Sequence, residues 1–238
     1  SPAGPNMTQI FTKMHGCGND FVIMFQPENI NPEYVIELSN RHTGIGFDQL
    51  LVLYHQSNSF AMRVFNQDGS EAMNCGNGLR CMAKFIHQRW HLSTFSIQCG
   101  GLSYLAKIEF GAPFILMPKP LLLDEVNEHT FVVLGNQHLI VWSQSHHESS
   151  LLALSLQYNA NVHQVVVENN KMSLIPFERG VGLTQACGSG AVAAYWAAKQ
   201  RHIMVQEVSM PGGSLLLNND DHGVWQSGPT VKVFEGQL

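Results

Sequence analysis

The segment Cys75-Gly76-Asn77-Gly78-Leu79-Arg80 returns 112 residues later as Cys187-Gly188-Ser189-Gly190-Ala191-Val192. Each copy sets a cysteine and two glycines at the start of an apolar stretch of helical character. The register runs upstream as well, since Phe65 and Asn66 precede Cys75 by the same spacing as Phe177 and Glu178 precede Cys187. A repeat this long is not a solenoid unit. It describes two homologous halves, each of ordinary domain size.

The spacing of apolar residues places strands at 9–14 and 21–25 around a glycine-rich turn, a helix at 32–41, and paired strands at 50–55 and 60–65. A helix over 77–90 and strands at 95–98 and 103–110 close the first half. The proline-marked stretch 111–120 reads as the crossing between halves. The second half repeats the plan with strands at 130–134 and 138–142, a helix at 149–157, strands at 164–168 and 172–177, and a helix from Cys187 to about Arg201. Gly18-Asn19 matches Gly135-Asn136, and Gln49-Leu50-Leu51-Val52 matches Gln164-Val165-Val166-Val167. The fold class expected is α/β (α+β), two pseudosymmetric domains from an internal duplication. The bounds are 7–112 and 113–228, and residues 1–6 read as an expression-tag remnant.

With 45% hydrophobic and 13% charged residues the chain can fill real cores. A net charge of −5 without runs of Lys or Arg gives no electrostatic reason to bind nucleic acid or an anionic membrane. No apolar run approaches the roughly 20 residues of a membrane span. A cytoplasmic protein with a small-molecule partner is expected, and a homodimer is the oligomer to test for. Five cysteines, odd in number and without a CxxC pair, argue for reduced thiols rather than a disulfide framework or zinc ribbon. The twelve histidines show no metal-ligand spacing, so no metal is expected, and without a GxGxxG or GxxxxGK motif no nucleotide cofactor is expected either.

A helix amino terminus carries unpaired amides and a partial positive charge, which makes Gly76-Asn77 and Gly188-Ser189 natural carboxylate sites. The same position is expected to lower the cysteine pKa. Two such units facing one substrate would set a thiol on each side of an α-carbon, the requirement for stereoinversion without a cofactor. A single copy of the motif is more often a buried thiol at a tight turn.

The motifs HGCGNDF from His15, GIGFDQ from Gly44, FNQDGS from Phe65, CGNGLR from Cys75, Glu178-Arg179-Gly180, ACGSGA from Ala186 and Pro211-Gly212-Gly213-Ser214 together resemble the diaminopimelate epimerase family, in family order and over nearly the whole chain. The resemblance implies a strand barrel around a central helix in each half, with the site in the cleft between them. It also implies cofactor-independent interconversion of L,L- and meso-diaminopimelate, with Cys75 and Cys187 as the acid/base pair. His138 and Glu178 match groups that adjust the protonation of the thiols. Asn19, Asn66, Asn136, Asn161 and Arg179 match residues on the distal end of the substrate, and Gln49 matches a further site residue. Gly76, Asn77, Gly188 and Ser189 match the amides on the reacting carboxylate. Arg179 bears most on specificity, since a guanidinium grips a second carboxylate that simple racemisation does not require.

The chain departs from the family pattern at Gln137, where a proline is usual, at Leu183, where a glutamate is usual, and at Cys17, where a leucine is usual. The stretch between Cys81 and Gly135 is also short. Two other readings stand beside the first: a racemase of a different amino acid with the same thiol chemistry, and a non-catalytic amino-acid-binding relative.

Overall fold

The structure, a computed structural model, describes residues 8–73, 75–126, 128–143 and 145–238. The segment 1–6, read from the sequence as a tag remnant, lies outside the described residues. The chain divides into two units by internal contacts. The first holds the described residues up to Gly16, Asp20–Ala106 and Thr230–Leu238; the second holds Cys17–Asn19 and Lys107–Pro229. The architecture is α+β, rich in strands. No helix among the described residues is long and apolar enough to cross a membrane.

The first half of the chain runs β1 (Ile10–Gly16), β2 (Asn19–Phe25), α1 (Pro32–Ser39), β3 (Gln49–Gln56), β4 (Ser59–Asn66), β5 (Glu71–Ala72), α2 (Gly76–Trp90), β6 (Thr94–Cys99) and β7 (Leu102–Glu109). The remainder runs β8 (Ala112–Met117), β9 (Leu121–Val126), β10 (His129–Leu134), β11 (Asn136–Val141), α3 (Glu148–Tyr158), β12 (Asn161–Glu168), β13 (Lys171–Glu178) and β14 (Gly182–Leu183). It ends with α4 (Gly188–Gln200), β15 (Glu207–Met210), β16 (Gly213–Asp220), β17 (Gly223–Ser227) and β18 (Val231–Gln237).

Strand register makes the duplication visible residue by residue. In the first unit β2 and β3 are parallel with Val22 beside Leu50, and antiparallel β4 brings Phe65 to Leu50. In the second unit parallel β11 and β12 set Leu139 beside Val162, and antiparallel β13 brings Phe177 to Val162. These two triplets sit in the apolar clusters under α1, with Val35 and Leu38, and under α3, with Leu151. Burying such aliphatic and aromatic side chains stabilises by about 1.5–3 kcal/mol each, which fixes the register of the polar residues one step along every strand. The pairing therefore equates Gln49 with Asn161 and Leu51 with His163. The sequence match of 49–52 with 164–167 is out of register by three residues, because near-uniform Val and Leu runs align at several offsets.

The strands turn tightly where the sequence supplies left-handed residues. Asn169 and Asn170, both at positive φ, join β12 to β13, and His91 and Asn159 cap the ends of α2 and α3 in the same conformation. An ion-pair network fixes the entry to β2 and β3. Arg41 grips Asp20 with two nitrogens at 2.7 and 2.8 Å, Lys13 adds a contact at 2.7 Å, and the Asp48 amide donates to Asp20 Oδ1 at 2.9 Å. Burial alone would raise the Asp20 carboxyl, but Arg41 and Lys13 hold it well below the usual range.

Helix α4 packs against β10, β11, β12 and β16, and its buried face is built from Ala191, Ala193, Ala194, Ala197 and Ala198, whose small side chains let strands approach closely. Helix α2 packs on β1 and β3 with the larger Leu79, Met82 and Ile86 buried.

The stretch read as a crossing between halves contains a strand instead. Strand β8 alternates half-buried and buried residues and pairs antiparallel with β17 from Phe114 to Met117. Pro113 stands just before the paired residues, so its missing N–H is not needed there. Strands β9, β16 and β17 lie outside the elements read from the sequence.

Gly100 and Gly101, at φ +58° and +80°, link β6 to β7. A Cβ at Gly100 would run into the Met73 carbonyl, whereas one at Gly101 meets nothing within 4 Å. Gly101→Ala should therefore cost about 1 kcal/mol through backbone strain alone, and Gly100→Ala about 3 kcal/mol through strain plus overpacking. Urea unfolding of the two variants checks the difference; equal losses would contradict the contact.

Candidate active site

Each central helix begins on a cysteine. Cys75 and Cys187 are N-caps with extended backbones (φ −158° and −140°), and each sulfur accepts a hydrogen bond at 3.3 Å from the third amide of its helix, that of Gly78 or Gly190. Serine, threonine or aspartate usually does this work. The sulfur shares its corner with the earlier amides of the helix, and those of Asn77 and Ser189 also favour negative charge on it.

What lies beneath leaves little room at the third helical position, and least at Gly190. A Cβ at Gly78 would come within 3.1 Å of Leu51 Cδ2, and one at Gly190 would run into the His163 ring. The backbone of Cys187 is also anchored, its N–H donating to Met210 Sδ at 3.4 Å, while Gln226 Nε2 donates to the Gly188 carbonyl at 2.8 Å.

Burial decides the protonation of the thiols. Cys187 is pushed up to about 12, by burial first and the Glu178 carboxylate second, with the Ser189 hydroxyl and the Gly190 and Ser189 amides pulling weakly the other way. The Ser189 hydroxyl oxygen lies 3.6 Å from the sulfur. Cys75 is also raised, by burial, against the opposing pull of the Gly78 amide and the Arg80 charge. The expectation that the helix termini lower both thiols is therefore corrected. The amides favour thiolate, but loss of water disfavours it more.

The other expected residues fall into local groups. In the first unit Gln49 and Asn66 face each other across the β3–β4 ladder, and Gln49 Nε2 donates to Asn66 Oδ1 at 3.0 Å. Asn77 accepts from Arg80, a fully buried cation on the first turns of α2. In the second unit Asn19 opens β2, and Asn136 opens β11 in an exposed position followed by exposed Gln137. Asn161 accepts the Arg179 backbone N–H at 2.8 Å, and the Arg179 guanidinium reaches Asn159 Oδ1 at 3.1 Å. Asn161 therefore fixes the backbone from which Arg179 projects. Cys17, the departure near the first turn, is buried with its sulfur 4.0 Å from the Ser214 carbonyl.

His138 is fully buried near Cys187 and is lowered to about 4, chiefly by burial, against the opposing pull of the Leu134 backbone. It is a neutral imidazole at pH 7. Its Nδ1 shares a hydrogen bond of 2.9 Å with Nε2 of His163, itself held well below the ordinary histidine range by burial and by His138. One nitrogen from each ring and the Cys187 sulfur lie within 4.8 Å of one another, a donor set able to hold a metal ion.

Sequence reasoning missed Arg80, Asn159, His163 and Gln226. His163 left one signal, a lone histidine inside the apolar run Val162 to Val167. Arg80 stood in the quoted CGNGLR motif, but nothing in its spacing announced that a cation would be buried there.

The solved structures similar to this chain include a phenazine biosynthesis protein of the PhzF family from Enterococcus faecalis (TM-score 0.74, 11% identity, 98% of this chain and 99% of that one). They also include a hydroxyproline epimerase from Agrobacterium vitis (TM-score 0.66, 10% identity, 98% and 93%). The fold is the one these proteins share, and the chain is an isomerase of the epimerase class. A family model described as diaminopimelate epimerase matches residues 11–104. The diaminopimelate epimerase of Acinetobacter baylyi is 33% identical over 96% of each chain, and that of Pseudomonas entomophila 35% over 96% of this chain and 98% of its own. The chain belongs to the diaminopimelate epimerase family.

The raised thiols make a stability prediction. An unfolded thiol ionises near about pH 8.5. A group whose folded pKa is raised contributes stability that is complete below the unfolded pKa and is lost as pH rises toward the folded one. Stability should fall above about pH 8.5, by up to about 1.4 kcal/mol per pH unit for each thiol, and for Cys187 the loss continues toward its folded value of about 12. Urea midpoints of the wild type and Cys187→Ala measured from neutral to alkaline pH test this; a wild type that gains on Cys187→Ala with rising pH would contradict it.

Proposed function

We propose that this chain epimerises L,L-diaminopimelate to meso-diaminopimelate without a cofactor, supplying lysine and peptidoglycan precursor synthesis in the cytoplasm. The observation that carries the reading is the repetition of one device in both units: a cysteine capping a helix whose first amides suit a carboxylate. In this reading Cys75 and Cys187 are the two proton carriers, and the domains run 7–112 with 229–238, and 113–228.

As thiolate, one cysteine takes the α-proton while the thiol of the other delivers a proton to the opposite face. The C–H electron pair is held briefly on the α-carbon and its carboxylate, where the amides of Gly76, Asn77, Gly188 and Ser189 stabilise it. The thiolate needed at the start must be made, because burial keeps both sulfurs protonated. His138, neutral and near Cys187, and Glu178, through its charge, are the groups that adjust the protonation of that sulfur. Arg179, with Asn19, Asn66, Asn136 and Asn161, holds the distal amino-carboxylate, while Gln49 orients Asn66.

Purified protein in deuterium oxide should exchange deuterium into the α-position of diaminopimelate with nothing added but reductant. Cys75→Ala and Cys187→Ala should each lower turnover by about 100-fold or more. Arg179→Gln should lower kcat/KM by about 10- to 100-fold, as expected for a lost hydrogen-bonded charge pair. Inert diaminopimelate with exchange into another amino acid would instead establish a racemase of different specificity. Tight binding without exchange of any amino acid would establish a binding protein.

A further inference from the structure

The floor beneath Cys187 differs from the floor beneath Cys75. Strand register equates His163 with Leu51 and His138 with Phe21. Helix α2 therefore rests on hydrocarbon, while α4 rests on two imidazoles. Both histidines are fully buried and Cys187 nearly so. The two rings share a single hydrogen bond, and the remaining nitrogens, His138 Nε2 and His163 Nδ1, have no hydrogen-bond partner in the structure. An orphaned buried polar atom of this kind costs about 1–3 kcal/mol. Among the described residues no other cluster of three such side chains has the proximity to hold a metal ion.

We propose that His138, His163 and Cys187 form a binding site for one thiophilic divalent cation of the zinc type. Two imidazoles and a thiolate are a donor set that such ions prefer over harder cations. Tetrahedral ligands at zinc bond lengths lie about 3.3–3.6 Å apart, and the three donor atoms here all lie within 4.8 Å, so small side-chain adjustments close the site. Three protein ligands leave a fourth position for water. On binding, the Cys187 S–H bond breaks, its electron pair goes to the metal, the proton leaves to solvent, and both histidines bind as neutral rings; no electron changes hands. The consequence for activity, and only that, rests on the proposed role of Cys187: a sulfur bound to metal cannot carry a proton, so the cation inhibits and a chelator restores exchange.

The test is a cobalt(II) titration of reduced, chelator-stripped full-length protein. Wild type should bind one equivalent with a thiolate-to-cobalt charge-transfer band in the near ultraviolet, displaced by zinc. Cys187→Ala should lose the band. His163→Leu, which installs the residue that the first unit uses, should bind cobalt more than about 100-fold more weakly, beyond the loss given by an outer-shell partner. His163→Gln is the second variant, and circular dichroism identifies which of the two is folded. Zinc at one equivalent should stop α-deuterium exchange by the wild type, while whatever exchange His163→Leu shows should be insensitive to it. No stoichiometric cobalt band in the wild type, or unchanged affinity in a folded His163 variant, overturns the site. Stoichiometric binding with undiminished exchange overturns the inhibition. Stripped wild type that exchanges no substrate refutes the proposed function, and the cobalt band still decides the site.

Discussion

The hydrogen bond from a backbone amide to a cysteine sulfur at the head of each central helix is the contact on which the rest depends. It is a weak bond, and it binds the thiol to the same few atoms that can receive an anion. For sulfur and amides to share that corner, the helix must settle on the strand below, which glycine at the third helical position allows and which the His163 ring makes a requirement at Gly190. The strand in turn must be held in register, which the Val22–Leu50–Phe65 and Leu139–Val162–Phe177 triplets do. A one-residue slip in either sheet would turn the floor residue away and undo the corner.

The thiols show two opposing effects of comparable origin. Helix amides and Arg80 favour negative charge on sulfur; exclusion of water disfavours it, and exclusion wins at both positions. A protonated sulfur is the resting form that such surroundings dictate. Arg179 has a different status, being held from behind by Asn159 and Asn161 with its guanidinium on an exposed stretch of chain.

Much of this was legible in the sequence. Glycines and cysteines at fixed spacing disclosed the duplication because they mark backbone conformations that few other residues allow, and helices α2 and α4 followed from apolar periodicity. Strands β8, β9, β16 and β17 were not legible: prolines flank the paired residues of β8, whose partner β17 lies far away in sequence. The three-residue slip between 49–52 and 164–167 arose because a run of Val and Leu carries no register of its own. The direction of the thiol shifts was also hidden, since a sequence displays a helix end but not how much water reaches it. Arg80 and His163 were hidden for the same reason, as burial is a property of the whole packing and not of the residue.

The two halves share a backbone plan and differ beneath their sulfurs, with Leu51 under one helix and His163 under the other. A leucine can only fill space, whereas an imidazole can accept, donate or ligate. The pair of thiols is thus chemically inequivalent despite its structural symmetry. In the proposed reading the slower of the two proton transfers removes the substrate's α-hydrogen in one direction and delivers a proton in the other, so an α-deuterium label is felt differently by the two directions.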